Sequence, residues 1–406
     1  MIKNKKIWLP WLVWGIAACY VLYQFLLQSS ISVMVPPLES CFHVSKVGIA
    51  FLSSSYFYTY VIMQIPAGML VDRFGPRRVL SMSILIAAIS SFFFAYAHQL
   101  HVAEASRMLM GAVTAPSIVA ALTLGSNWFP LERFGLIVGL TEAVGMSGGV
   151  ISQVVLSKFV ESSLGWRGTM AIAGFLGILL VMLTWTFVFD YPKYKRNQIK
   201  TEERERLTMK KLFSVFTYPQ IWIMGLYSGL LFALLSGFAS LWSIPFLQNE
   251  YHFTLGFAGL LSAMLFIGAA VGSPIIGWMG GVLGNRKRVM LITALITFVL
   301  MLLIVMLKAI PVALLFVILF ALGFFCSGYV LPYAMASELI DPKLKGTAMG
   351  FVNMLCIIIG APLLQPFVGF LLQTHESYSH ALFVFPICFL FGAILTFVIK
   401  DKACVV

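Results

Sequence analysis

Long apolar runs separated by short polar breaks recur along the whole chain. A helix needs about 20 apolar residues to cross a hydrocarbon core of ~30 Å. Inside lipid only helices or closed barrels satisfy their own backbone, and the runs lack the alternation of barrel strands. The pattern therefore predicts an all-α membrane protein with twelve spanning helices. They are placed at 7–35, 47–71, 79–97, 102–128, 134–157, 168–189, 219–247, 255–283, 289–307, 311–337, 346–372 and 381–399. Most of the breaks are short, and the exception, 190–218, divides six spans from six. The expected organisation is an N-terminal six-helix bundle over 1–190, a cytoplasmic linker over 191–218 and a C-terminal six-helix bundle over 219–406. Within the linker, Thr201-Glu202-Glu203-Arg204-Glu205-Arg206-Leu207 puts acids before bases, as a helix start does. Leu207, Leu212, Phe213 and Phe216 supply an apolar face for a short helix on the membrane surface; the alternative is an unstructured charged tether.

Composition agrees: 60% of residues are hydrophobic, 10% are charged, and mean hydropathy is +0.96, which excludes a soluble domain of this length. The net charge of +12 raises the question of a nucleic-acid partner, and its distribution answers it. With the N-terminus inside, 22 of the 27 Lys and Arg fall on inner segments, four on outer segments, and one, Arg107, within a span. Basic residues concentrate on the cytoplasmic side of membrane proteins. Both termini are thus expected in the cytoplasm, the charge is a mark of topology, and no nucleic acid is expected. The first apolar run is too long for a signal peptide and is read as a retained span. The six Cys show neither paired nor metal-ligand spacing. No metal or cofactor is expected. All six His (His43, His98, His101, His252, His375, His380) fall in outer loops. They make either a pH-sensitive outer face or simply the polar filling of loops that exclude Lys and Arg.

The stretch 68–79 carries the strongest motif: Gly68-Met69-Leu70-Val71-Asp72-Arg73-Phe74-Gly75-Pro76-Arg77-Arg78-Val79. It is a charged hinge between the second and third spans, of pattern G-x-x-x-D-R-x-G-x-R-R. It resembles the loop at that place in transporters of the major facilitator superfamily. The halves also repeat weakly: Gly68 to Gly75 recurs as Gly277 to Gly284, and Arg77-Arg78 as Arg286-Lys287, though Gly281 stands where Asp72 would. The resemblance implies a secondary transporter of two six-helix pseudo-repeats, with substrate near the midplane exposed alternately to each side. It also implies that Asp72 meets the start of the eleventh helix and holds the inner side closed. Asp72, Arg73, Gly75, Arg77, Arg78, Glu132 and Arg133 form the expected gating set; cations setting topology is the plainer reading of the Arg residues.

Two charges lie well inside spans. Arg107 sits in Arg107-Met108-Leu109-Met110-Gly111, which resembles the superfamily's fourth-helix Arg-x-x-x-Gly pattern. A buried charge is costly and faces a cavity or a partner. Arg107 is expected to bind an anionic group or to serve proton coupling, or else to pair with Glu104. Glu142 lies ~12 Å along the fifth span, ~20 Å from the level of Arg107, so the two do not pair directly. It is read either as a proton carrier or as part of the gating cluster. Polar stripes at helical spacing complete the expected lining: Tyr20, Gln24 and Gln28; Tyr56, Tyr60 and Gln64; Tyr227 with Ser228; Tyr329 with Tyr333; and Asn353. Gly139, Gly145, Gly148 and Gly149 of the fifth span resemble the Gly-Pro-x-x-Gly-Gly helix of drug antiporters, except that Met146 stands where the Pro would be; close helix packing by small residues is the plainer reading.

The combined expectation is an alternating-access carrier in a bacterial inner membrane, acting as a monomer. Its solute is small and organic, carboxylate-bearing (an amino acid, dipeptide or organic anion), and moved with protons. The chain is similar to bacterial nutrient carriers and, in style, to lysosomal dipeptide uniporters. A drug or siderophore efflux antiporter is the alternative within the class. A membrane-embedded transferase or a transporter-like sensor are the alternatives outside it. No acid/base cluster of an enzyme and no ATP-binding loop is present in the sequence.

Overall fold

The computed structural model describes residues 8–130, 133–191, 214–307, 310–340, 345–375 and 377–400. Almost all of them are helical, and no strand occurs among the described residues. Twelve long helices follow one another: α1 (Trp8–Val33), α2 (Lys46–Phe74), α3 (Pro76–Ala95), α4 (Leu100–Trp128), α5 (Leu136–Glu161), α6 (Gly165–Phe187), α7 (Pro219–Tyr251), α8 (Leu255–Val282), α9 (Arg286–Met306), α10 (Val312–Ala336), α11 (Ala348–Thr374) and α12 (Tyr378–Val398). Among the described residues, eleven are long and apolar enough to cross a membrane. The other, α2, has 29 residues; Ser53, Ser54, Ser55, Tyr56, Tyr58 and Tyr60 make it more polar. A short helix, Val35–Phe42, links α1 to α2. The predicted surface helix of the linker lies outside the described residues, as does Glu132.

Several spans are not regular, and local sequence says why. The predicted first span tightens at Ser30–Val33, where Ser29, Ser30 and Ser32 turn their hydroxyls back onto the carbonyls of Phe25, Leu27 and Ser29 at 2.8–2.9 Å. α4 breaks at Ala115 ahead of Pro116, which has no N–H to give. Wide turns interrupt α5 at Ser152–Leu156, α7 at Leu234–Trp242 and α11 at Ile359–Leu364. Such wide turns leave carbonyls free for other partners and recur at functional sites.

The two halves pack alike. α1 lies on α5, α2 on α4 and α3 on α6; six helices later, α7 lies on α11, α8 on α10 and α9 on α12. Details repeat as well. A Cβ on Gly111 would overlap the carbonyl of Tyr56, and one on Gly323 would overlap the carbonyl of Leu265, so α2–α4 and α8–α10 each touch backbone to backbone. Arg77 donates to the Trp185 carbonyl at the end of α6 at 2.6 Å, and Lys287 to the Phe397 carbonyl at the end of α12 at 3.0 Å. His43 and His252 both take the left-handed conformation, each capping the helix before the next span. His is among the residues that tolerate this conformation. This gives the two histidines a conformational reason for being where they are.

The halves meet along α2–α11 and α5–α8. At the end away from the Arg-rich loops the seam is shut. The Ser54 hydroxyl donates to the Ala361 carbonyl at 2.7 Å, the Gly256 amide to Glu161 Oε1 at 3.2 Å, and the Lys46 ammonium lies 5.3 Å from the Tyr378 ring centre. Gly259 sits under the Gln153 carbonyl with no room for a Cβ. At the basic end the same four helices stand apart. A Cβ on Gly68, Gly139, Gly277, Gly281 or Gly350 would meet nothing within 4 Å.

Candidate functional site

The open seam leads to four half-buried polar side chains: Gln64 on α2, Glu142 on α5, Tyr333 on α10 and Asn353 on α11. The helical turns carrying them run from or to Phe74, Phe134 and Lys345 at the basic end, so at 1.5 Å per residue Gln64, Glu142 and Asn353 all lie ~12–15 Å above it. Asn353 Nδ2 donates to Gln64 Oε1 at 3.2 Å, joining the halves, and the Tyr333 hydroxyl donates to Asn353 Oδ1 at 2.9 Å. Glu142 owes its direction to the rotation of α5. The Thr141 hydroxyl receives the Trp14 indole of α1 at 3.1 Å, and Gly148 meets the Leu22 carbonyl, so that stripe faces α1. Gly149, two turns beyond Glu142, packs on Phe266 of α8. Residues seven apart share a face, so Glu142 points into the seam. Tyr60, Tyr329, Tyr333 and Cys356 lie within its electrostatic reach.

Behind this wall lies a second row. Gln24 donates to the Tyr60 hydroxyl at 3.1 Å and receives the Ser117 hydroxyl. Tyr56 meets Thr114 at 2.5 Å and stacks on Tyr60, ring centres 5.9 Å apart. Tyr20 donates to the Val113 carbonyl at 2.9 Å, at the break in α4. In the other half Tyr227 donates to the Met290 carbonyl at 2.8 Å and Ser228 to the Tyr329 carbonyl at 2.9 Å. Tyr20, Gln24, Gln28, Tyr56, Tyr60, Tyr227 and Tyr329 are all buried in this state. They orient and back the wall, while Gln64, Tyr333 and Asn353 of the predicted lining are half-exposed.

Arg107 is wholly enclosed. Its guanidinium donates to the Leu27 carbonyl at 2.7 Å and to those of Gln28 and Ser53 at 3.4 Å, and it stacks 4.8 Å from the Tyr56 ring centre. It thus ties α1 and α2 to α4, using carbonyls next to the Ser30–Val33 turn. Glu104 pairs instead with His101 at 3.7 Å. A direct contact between Arg107 and a solute requires α1 to withdraw.

In the charged loop, Gly75 takes a positive φ of 81°, which favours glycine, and the loop is held from α6. Asp190 Oδ1 receives the Arg77 amide at 2.7 Å, a carboxylate at the start of α3. The Arg77 guanidinium stacks over Trp185 and Phe189, at 4.9 and 5.3 Å. Arg73, Arg78 and Arg133 are exposed. The side chain of Asp72 lies outside the described set.

Sequence reasoning missed the contacts that shut the far end. Ser54 reaches Gln365 Oε1 at 3.3 Å as well as the Ala361 carbonyl, and Tyr58 donates to the Pro362 carbonyl at 3.2 Å. Pro366 in mid-span was the available signal, since it has no N–H to give to the Pro362 carbonyl one turn earlier.

The sequence profile of the Major Facilitator Superfamily matches residues 16–244 and 226–403, which together cover most of the chain. The chain belongs to the Major Facilitator Superfamily. Major Facilitator Superfamily relatives agree. The probable L-galactonate transporter of Escherichia coli (strain K12) is 24% identical over 385 residues, covering 89% of this chain and 82% of that one. The probable galactarate/D-glucarate transporter GudP of the same organism is 24% identical over 392 residues, covering 87% and 85%. The match to the uncharacterized transporter YybO of Bacillus subtilis (strain 168) is 24% identical and covers 66% of this chain and 64% of that one. Among solved structures, a bacterial homologue of the human lysosomal transporter Spinster, inward-facing and unoccupied, superposes with a TM-score of 0.78 over 98% of both chains at 16% identity. The nucleoside transporter NupG gives 0.74, also at 16% identity, over 95% of this chain and 98% of that one. These likenesses establish the Major Facilitator Superfamily fold. The protein is a multi-pass secondary transporter of a small molecule, and its relatives are transporters, not enzymes.

Proposed function

We propose that this transporter moves a small polyhydroxylated carboxylate, of the sugar-acid kind, together with a proton bound by Glu142. The observation that carries the reading is the placement of Glu142: an acid on the face of α5 that turns to α8 at the seam, within electrostatic reach of the phenols of Tyr60, Tyr329 and Tyr333. Amides and phenols at Gln64, Tyr333 and Asn353 suit solute hydroxyls. A carboxylate beside an ionised Glu142 is repelled; beside a protonated Glu142 it accepts a hydrogen bond from the carboxyl. Anion and proton then bind as one unit, by linkage. The relatives named for galactonate and for galactarate or glucarate favour sugar acids over the amino acids and dipeptides also raised by the sequence.

In this reading the basic end faces the cytoplasm, by the distribution of Lys and Arg, and the described state is open inward. The solute contacts are Gln64, Glu142, Tyr333 and Asn353, backed by the buried Tyr and Gln row. Arg107 sets that row by holding α1, α2 and α4 together. The loop from Asp72 to Arg78 closes the inner end in the opposite state. The halves divide at residues 191–218.

A thermal-shift screen on purified protein tests the solute class. Galactonate, galacturonate and glucarate are compared with dipeptides, neutral sugars and cationic drugs, at acid and alkaline pH. A ligand at 100 times its dissociation constant stabilises by ~2.7 kcal/mol. Sugar acids that stabilise, and do so more at acid pH, support the reading. A shift from cationic drugs alone, growing with pH, points to an ionised Glu142 as a cation site and overturns it.

A further inference from the structure

We propose that the transporter holds one phospholipid at its basic end, an acyl chain lodged between α2 and α3 and its phosphate on Arg78. A cavity of about 400 Å3 lies there, walled by Leu70 and Phe74 of α2, Met82 and Ile86 of α3, and Ala112 of α4. α2 and α3 diverge from their hinge at Gly75 while both pack on α4, and that divergence makes the groove. Proline accounts for its shape: Pro66 lies within α2 and Pro116 lies at the break in α4, which forms the floor.

The walls are almost wholly apolar, and one charge stands among them. Arg78 lines the cavity, is exposed, and makes no hydrogen bond or ion pair among the described residues. Its neighbour Arg77 is committed to Trp185 and Phe189. An apolar slot ending in an unpaired guanidinium, at the level where a span meets the headgroups, matches a chain and a phosphate. Arg suits a phosphate through its planar pair of donors, and basic pockets between spans on the cytoplasmic side take lipid headgroups. Gln64 and Tyr60 lie on the same α2, so an occupant of the groove bears on the helix that carries the solute wall.

The test is native mass spectrometry of the full chain in detergent, with dioleoylphosphatidylglycerol or dioleoylglycerol added as probes. Wild type is expected to retain one phosphatidylglycerol and to release dioleoylglycerol, which has the chains and no phosphate. Arg78→Gln is expected to cut retention at least fivefold. Arg288→Gln, which removes an exposed cation from the start of α9, is expected to leave it unchanged. Ala112→Phe fills the floor and is expected to abolish it; where that variant does not fold, the comparison of Arg78→Gln with Arg288→Gln decides. Retention by Arg78→Gln equal to wild type, equal loss in Arg288→Gln, or equal retention of dioleoylglycerol overturns the proposal.

Discussion

Asn353 of α11 gives a hydrogen bond to Gln64 of α2 across the seam between the halves, 3.2 Å long. Toward the basic end from this bond, Gly68 and Gly350 on the same two helices face open space. The bond therefore marks the floor of the open cavity and one edge of the solute wall. Gln64→Ala and Asn353→Ala are each expected to weaken solute binding about fivefold, from ~1 kcal/mol per hydrogen bond. The double variant is expected to lose less than the sum, because the two share one bond. Titration calorimetry on the four proteins checks this; full additivity would separate the two residues.

Arg107 is expected to matter for stability before it matters for binding. Its removal takes a charged donor from the buried Leu27, Gln28 and Ser53 carbonyls, of which Leu27 keeps the Ser30 hydroxyl. Arg107→Ala should cost ~2 kcal/mol or more, and Arg107→Lys should not restore it, because an ammonium cannot reach three separated acceptors as the fork does. Thermal unfolding in one detergent gives the answer. Unchanged stability in Arg107→Ala would mean that the guanidinium is held for the solute alone.

The shut end of the seam depends on small residues. Gly259→Leu pushes a side chain into the Gln153 carbonyl and should hold α5 and α8 apart at their far ends. Glu161→Gln removes a charge from the start of α8, a milder change of ~0.3–1 kcal/mol, or about a two- to fivefold shift in population. Paired spin labels on the far ends of α5 and α8 should report a longer distance in Gly259→Leu and a mixture in Glu161→Gln. Wild-type distances in Gly259→Leu would show that this contact does not govern closure.

The twelve helices were legible because lipid sets one length for every span, and the apolar runs show it directly. Even α2, polar on the face that meets α11, keeps a run long enough to be read. The two six-helix repeats were legible from the recurrence of Gly68–Gly75 as Gly277–Gly284. The environment of Arg107 was not legible. Its partners are main-chain carbonyls near a serine-rich turn, and residue types do not announce free carbonyls. The same holds for Ser54 and Tyr58, which find the carbonyls of Ala361 and Pro362. Depth along a helix was readable for Glu142; its facing was not, because that depends on Thr141 and Gly148 choosing α1. The polar stripes Tyr20–Gln24 and Tyr56–Tyr60 were visible as stripes, yet spacing alone could not separate a cavity wall from the buried row behind it.

Proton coupling through Glu142 is the central claim, and its sign is fixed. The anion binds the protonated form, so affinity falls as pH rises through the titration of Glu142. Glu142→Gln keeps a neutral hydrogen-bond donor and cannot release a proton. The most direct measurement is proton uptake by proteoliposomes when galactonate is added, in wild type and in Glu142→Gln. The account predicts that wild type takes up protons with galactonate, and that Glu142→Gln still exchanges galactonate across the membrane, at an affinity indifferent to pH, with no proton movement. Proton uptake in Glu142→Gln equal to wild type would contradict it.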